Sequence, residues 1–152
     1  MKISTKGRYG LRAMLDLALN GRNGEPVCVQ SISKRQGISE SYLEQLISAL
    51  RKAELIKGVR GQSGGYRLAK EPEDISVGDI LRACEGGIEV VSCMTADERA
   101  CENAGSCVTG IVWKSVNDAI EGVVDSITLK KLVDESDAMA GDTAQSMDGC
   151  VN

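Results

Sequence analysis

The sequence predicts a mostly α-helical protein with a small β wing: a winged helix-turn-helix domain followed by a long C-terminal helix suited to dimerisation. Three observations carry this. Between Gly37 and Ile56, Leu43, Leu46, Ile47 and Leu50 fall at i, i+3, i+4 and i+7, the buried stripe of one helix, while Ser41, Glu44, Gln45, Ser48 and Lys52 occupy its other face. Two short strand-like runs, Leu55 to Val59 and Tyr66 to Leu68, flank Arg60-Gly61-Gln62-Ser63-Gly64-Gly65. That is a hairpin tip, in which Gly64-Gly65 are expected to supply the positive φ of a tight turn. From Cys107 onward, Val108, Val112, Val116, Ile120, Val123 and Ile127 recur at three- and four-residue spacing.

Each element follows in order. Lys6 to Gly21 reads as a first helix, with Leu11, Met14, Leu15, Ala18 and Leu19 as its buried stripe. Arg22 to Pro26 is a turn, and Val27 to Val29 is short enough to pair with the wing as one more strand. Ser31 to Gln36 is a second helix closed by Gly37, and Ser39 is placed to cap the helix after it. A helix, a tight turn and a second helix with a polar outer face is the arrangement that sets its second helix in the DNA major groove. Beyond the wing, Lys70 to Asp74 is a surface turn, and Ser76 caps a helix through Val77, Ile80, Leu81 and Cys84 that ends at Gly86-Gly87. Residues 88–106 show neither period and read as a loop. The helix after Cys107 spans about 30 Å if it runs for about 20 residues. Ile111, Trp113, Ala119 and Val124 make it apolar on more than one face, so one face suits its own domain and another a twin. Thr128 to Val133 reads as a further helical segment, and Asp134 to Asn152 as an acidic, disordered tail. The expected organisation is therefore a DNA-binding domain over 1–72, a loop and dimerisation helix over 73–133, and a tail over 134–152.

Charge divides the chain in the same place. Residues 1–72 hold 13 Lys and Arg against 6 Asp and Glu, and residues 73–152 hold 5 against 16, within a total net charge of −4. A basic first half fits a polyanion, and an acidic second half is repelled by one. No apolar run approaches the roughly 20 residues that cross a bilayer, and the segment Met1 to Gly7 lacks the apolar stretch of a signal peptide. A cytoplasmic protein without a membrane partner is expected. With no histidine, no phosphate-binding loop and no paired carboxylates in an ordered pocket, no enzymatic reaction can be assigned.

Six cysteines in a reducing compartment point to free thiols or metal ligands rather than disulfides. Cys28 and Cys84 lie beside apolar residues and read as core thiols, and Cys150 as an incidental tail thiol. Cys93, Cys101 and Cys107 lie within 15 residues of one loop, close enough to converge on one centre. Thiolate softness selects zinc or iron–sulfur over hard cations. The absence of a CxxC pair and of histidine counts against a closed structural zinc site. Solvent-facing thiols in a variable loop are the plain alternative.

Taken together these motifs resemble an IscR-type transcription regulator, the cluster-sensing branch of a family of small winged-helix repressors. The likeness rests on Lys6-Gly7-Arg8-Tyr9, on Ile38-Ser39-Glu40-Ser41-Tyr42-Leu43-Glu44-Gln45-Leu46, on Val59 to Tyr66 and on the three-cysteine loop, and it covers about residues 1–133. It implies a homodimer on a palindromic operator in double-stranded DNA. It implies a 2Fe–2S cluster ligated by Cys93, Cys101 and Cys107 and repression of cluster-assembly genes. By position, Ser39, Ser41, Tyr42, Glu44 and Gln45 are expected in the major groove, Arg60 with Gly61, Ser63 and Gly64 in the minor groove, and Arg8 against DNA from the first helix. Glu44, a carboxylate facing DNA, suits a cytosine amine and so a choice between site classes.

One position departs from the resemblance. IscR-type proteins usually place a histidine three residues after the third cysteine, and here that residue is Gly110. Where a nitric-oxide-sensing relative uses a partner's aspartate, this chain has Arg8. The fourth ligand is left among Glu102, Asp97, Glu98, Ser106, a partner carboxylate or an exogenous thiol. Rival functions are a cluster-free or thiol-switch repressor of cysteine metabolism, a nitric-oxide-sensing 4Fe–4S regulator, or an electron-transfer or scaffold protein. The last has no use for the basic helix and wing.

Overall fold

The computed structural model describes residues 3–91 and 106–147. Its elements run α1 (Thr5–Asn20), α2 (Val29–Gln36), α3 (Glu40–Lys52), β1 (Ile56–Val59), β2 (Gly65–Leu68), a 3-10 turn (Pro72–Asp74), α4 (Val77–Glu85), α5 (Gly110–Ser126) and α6 (Leu129–Met147). This is the mostly helical winged helix-turn-helix fold with a two-stranded wing. The wing is antiparallel, with Ile56 opposite Leu68, Lys57 opposite Arg67, Gly58 opposite Tyr66 and Val59 opposite Gly65. Val27 joins it as an isolated bridge to Tyr66, through two backbone bonds of 2.8 and 2.9 Å.

Local chemistry sets the helix ends. The Ser4 hydroxyl accepts from the Lys6 N–H at the start of α1, and the Ser39 hydroxyl accepts from the Tyr42 N–H at the start of α3. At α4, Ser76 and Asp79 satisfy each other's backbone N–H groups in a reciprocal box, and Gly86 closes the helix in the left-handed region at φ 85°. Such caps each contribute about 1 kcal/mol.

One aliphatic core joins α1 to α4 and α6. Met14 and Leu17 of α1, Ile32 of α2, Leu43, Leu46, Ile47 and Leu50 of α3, Ile80 and Cys84 of α4, and Leu129 and Val133 of α6 belong to a single buried cluster. The predicted stripe of α1 is displaced slightly: Leu17 is buried, while Leu11, Leu15 and Leu19 are only partly covered and pack at its margin. Close approach of α1 to α4 needs glycine at position 10, where a Cβ would collide with Cys84 Sγ.

Four expectations are corrected. Residues 134–147 are not a disordered tail but the continuation of α6. The helix is anchored by buried Leu129 and Val133, by a Lys130–Asp134 ion pair one turn apart, and by the Arg22–Asp137 pair to the turn after α1. Acidic composition suggested disorder; an apolar anchor at the helix start outweighs it. Cys28 is exposed rather than buried. Val27 is an inward-facing extended residue, and the next residue along such a chain faces out. The positive φ at the wing tip belongs to Gly61, at 125°, and not to Gly64-Gly65. Gly64 and Gly65 are needed for space instead, since a Cβ at Gly64 would stand 2.5 Å from the Val59 carbonyl oxygen and one at Gly65 would meet that of Val27. The second helix starts at Val29, two residues ahead of the predicted Ser31.

Gly10→Ala is expected to lower stability by about 1–3 kcal/mol, the cost of overpacking a filled site. The double variant Gly10→Ala/Cys84→Ala should recover part of that loss in urea denaturation. Equal midpoints for the single and double variants would remove the steric account.

Candidate nucleic-acid interface

The face of α3 opposite its buried stripe is built of small and polar groups: Ser39, Ser41, Glu44 and Gln45 are exposed, while Leu43, Leu46, Ile47 and Leu50 seal the inner side. The structure therefore brings these predicted residues onto one surface. Tyr42 is half-buried and differs from them. Its ring meets Tyr9 of α1 edge to face, with centroids 5.9 Å apart, and Arg12 lies 5.5 Å over the other ring's centroid. The contact fixes the first turn of α3 against α1, and Arg8 lies exposed on the same α1 turn as Tyr9. At the wing tip Arg60, Gly61 and Ser63 are exposed, and the Gly64 N–H donates to the Gly61 carbonyl at 3.0 Å.

A set of residues absent from the sequence reading orients the two helices of the helix-turn-helix motif. Asp16 of α1 is buried, and its carboxylate accepts from Arg35 Nε at 2.9 Å, Arg35 Nη2 at 2.7 Å and Gln36 Nε2 at 2.9 Å. Arg12 donates in turn to the Gln36 carbonyl at 2.6 Å and side-chain oxygen at 3.1 Å. The available signal was a lone carboxylate between Leu15 and Leu17, with arginine in the next helix.

Of the candidate cluster ligands, Cys93, Cys101, Asp97, Glu98 and Glu102 lie outside the described residues. Cys107 is described and exposed at the approach to α5. Its Sγ lies 3.2 Å from the Thr109 hydroxyl, and that hydrogen bond, followed by the Gly110 N–H, draws the thiol below its ordinary pKa. A thiolate favoured in this way is a competent soft ligand. Position 110 faces it: a Cβ there would stand 3.8 Å from Cys107 Cβ and 3.9 Å from its Sγ, so a side chain at that site would lie beside the sulfur, and glycine offers none. Among the described residues no group of three or more Cys, Asp or Glu is arranged to hold a metal ion.

The other described thiols divide sharply. Burial, and then the charge of Glu85, push the Cys84 thiol up to about 11. Cys28 moves the opposite way, mainly through the Ser31 hydroxyl 3.0 Å from its Sγ.

A helix-turn-helix motif, a glycine-thinned wing and a polar-faced α3 define the class: a winged-helix DNA-binding regulator. The particular family is shown by comparison. Residues 3–135 match the Rrf2 family model, described as an iron-dependent transcriptional regulator, and the chain belongs to that family. It is 40% identical over 152 residues to the HTH-type transcriptional regulator IscR of Aliivibrio salmonicida, covering 100% of this chain and 89% of that one. It is 41% identical over 139 residues to IscR of Escherichia coli O1:K1 / APEC, covering 91% and 84% respectively. Among solved structures, T. potens IscR superposes with a TM-score of 0.72 at 48% identity, covering 90% of this chain and 88% of that one. CymR, the global cysteine regulator of B. subtilis, gives 0.72 at 42% identity, covering 89% and 98%. These relatives are regulators and not enzymes, and the chain is a DNA-binding transcription regulator. Among the described residues no helix is long and apolar enough to cross a membrane.

Alkylation at neutral pH should label Cys28 and Cys107 well before Cys84, whose thiolate is scarce until the pH approaches 11. Peptide mass spectrometry over a pH series checks the order. Labelling of Cys84 at the rate of Cys107 would show that the core opens.

Proposed function

We propose that this protein is a homodimeric repressor of cluster-assembly genes that senses iron–sulfur supply through a 2Fe–2S cluster ligated by Cys93, Cys101 and Cys107. The observation that carries this reading is the close spacing of Cys93, Cys101 and Cys107 in an Rrf2-family chain that is similar over its length to regulators named IscR, with the Cys107 thiol drawn below its ordinary pKa by its bond to Thr109. When bound, such a cluster supplies a labile centre whose occupancy reports cofactor availability. The chain's own part is to offer three thiolates and to fix the last of them at the start of α5. Gly110 leaves the fourth position to Glu102, Asp97, Glu98, Ser106 or a donor from outside the chain. An oxygen ligand there makes the centre more easily lost than an all-thiolate one, which suits a sensor.

Dimerisation draws support from α5, which has no buried residue. Val108, Ile111, Val112, Trp113, Val116 and Val123 are exposed on or just before it. Val116, Ala119, Ile120, Val123 and Val124 line an apolar groove of about 480 Å³. A surface of that kind on a small soluble chain marks an interface, and two crossed copies would present two α3 helices to a palindromic operator. In that complex Ser39, Ser41, Tyr42, Glu44 and Gln45 meet the major groove, Arg60 with Gly61, Ser63 and Gly64 the minor groove, and Arg8 the flanking backbone. Arginine suits a narrow minor groove because the negative potential is focused there.

A second reading, a cluster-free repressor, is favoured by two observations: the close likeness to CymR and the missing side chain at Gly110. Iron and sulfide analysis of protein purified without oxygen separates them. About two iron and two sulfide per chain, with visible absorption, is expected for the 2Fe–2S form. Colourless protein that resists reconstitution would sink the sensing reading and leave the DNA-binding one intact.

Gln45→Ala should lower the preference for the operator over random duplex by about 1–3 kcal/mol while sparing non-specific affinity. Competition binding against both duplexes checks it, and equal losses on the two would refute base reading by this side chain.

A further inference from the structure

α5 leaves the winged domain as an arm with one fixed end. Its main packing partner is α4, and none of its residues is buried. Its C-terminal end is pinned through the backbone. The Val77 N–H donates to the Ile127 carbonyl and the Leu129 N–H to the Ile75 carbonyl, both at 2.8 Å, around the bridge between Ser76 and Thr128. Beside this pivot a side-chain strut joins the two helices. Arg82 of α4 binds Asp125 in the last turn of α5 and lies 3.7 Å from Asp79, which is itself bonded to Ser76 at the pivot. Glu121, one turn back on α5, adds its charge to the same guanidinium. Lys70 tempers the charge of Asp79, but among the described residues it makes no ion pair across to α5. The fit is close: a Cβ at Gly78 would stand 1.8 Å from Asp125 Oδ1. Arg82 and Asp125 are 38% and 44% exposed, and an ion pair so wetted contributes little to stability.

We infer that the Arg82–Asp125 strut sets the angle at which α5 leaves the winged domain, and through it the half-site spacing that the dimer accepts. This rests on the dimer reading given above, in which the apolar face of α5 meets its twin. Leverage makes the strut decisive. Asp125 stands two residues before Ile127, about 3 Å along the axis, and Ala119, in the apolar groove, stands eight before it, about 12 Å. A shift of about 1 Å at the strut therefore becomes about 4 Å near the middle of α5. Two-fold symmetry applies the same swing to both winged domains in opposite senses. Successive base pairs are about 3.4 Å apart, so the loss of one ion pair is enough to change the accepted spacing by about one base pair or more. Packing constrains this swing weakly, since Asn117, Ile120 and Val124 on the inner face of α5 are only half-buried. Without Arg82, the Asp79 carboxylate of α4 is left facing Asp125 and Glu121 of α5, and like charges drive the helices apart.

The test uses the full chain, purified without oxygen, and a half-site that the wild type selects from a random library. Duplexes carrying two copies of that half-site, with the spacer varied one base pair at a time, are titrated with each variant. The wild type should prefer one spacing. Arg82→Gln and Asp125→Ala should each move that optimum by about one base pair or more. Affinity for a single half-site and the melting temperature should stay as in the wild type. Because both substitutions break the same contact, the double variant should shift no further than the larger single one. Lys114→Gln removes an exposed cation that is paired within α5 to Asp118, and it should leave the optimum in place. An optimum unmoved in both variants would overturn the strut. So would equal losses at every spacing and on the single half-site, which mean general damage, or an equal shift with Lys114→Gln, which means net charge alone. Sedimentation of the wild type separates this from failure of the dimer reading. A dimer whose spacing preference survives both substitutions loses only the strut. A monomer that ignores spacing would end both readings.

Discussion

Asp16 lies within the core at 2% exposure, and a carboxylate so placed is tolerable only with its oxygens occupied. Arg35 and Gln36 occupy them, and both stand in the last turn of α2, a helix whose one buried residue is Ile32. So little apolar surface cannot hold α2 at a defined angle. The carboxylate does, and through Gly37, left-handed at φ 64°, it fixes where α3 begins. Arg12 extends the same constraint, binding the Gln36 carbonyl with its guanidinium while lying over Tyr9, which in turn supports Tyr42. The position of the polar face of α3 thus depends on a chain of contacts that starts at one buried charge in α1.

The second constraint joins the winged domain to α5 and α6. The Val77 N–H donates to the Ile127 carbonyl and the Leu129 N–H to the Ile75 carbonyl, both at 2.8 Å, around an isolated bridge between Ser76 and Thr128. Arg82 reaches Asp125 from the side. These bonds hold the end of α5 and the start of α6, and Leu129 continues into the core. The rest of α5 is attached much less firmly, which leaves its apolar residues at the surface.

Much of this was legible in the sequence because local rules and the global fold agree. The stripe of α3, the caps at Ser39 and Ser76 and the break at Gly86 were read from neighbouring residues alone; that Asp79 completes a reciprocal box with Ser76 was not. What else was not legible depends on partners far along the chain. Asp16 and Arg35 are separated by 19 positions, and nothing in the spacing of either reveals the other. The extension of α6 was masked by acidic composition, since its anchors are Leu129 and Val133 packed on α1-side residues together with Arg22 across the fold. The wing glycines were recognised but their duties were exchanged, because crowding by the Val27 and Val59 carbonyls cannot be counted before the strands are placed. Of the proposed cysteine site, residue types and spacing were readable. Only Cys107 among its three thiols lies within the described residues, and its hydrogen bond to Thr109 adds a reason for reactivity that spacing alone lacked.

The carboxylate of Glu85, at the end of α4, accepts from the Ser4 N–H and hydroxyl and from the Gly7 N–H, at 2.7 to 2.9 Å. A helix start ordinarily offers free N–H groups and a partial positive charge to any passing anion. Here that offer has been taken up from within, by a residue of the same chain. The amino end of α1 is therefore electrically quenched along its axis, and whatever attraction it exerts on a polyanion comes from the flexible side chains of Lys6 and Arg8, which are exposed around it. Such attraction is adjustable in direction and sensitive to salt, unlike the fixed seat that an open helix end would have provided.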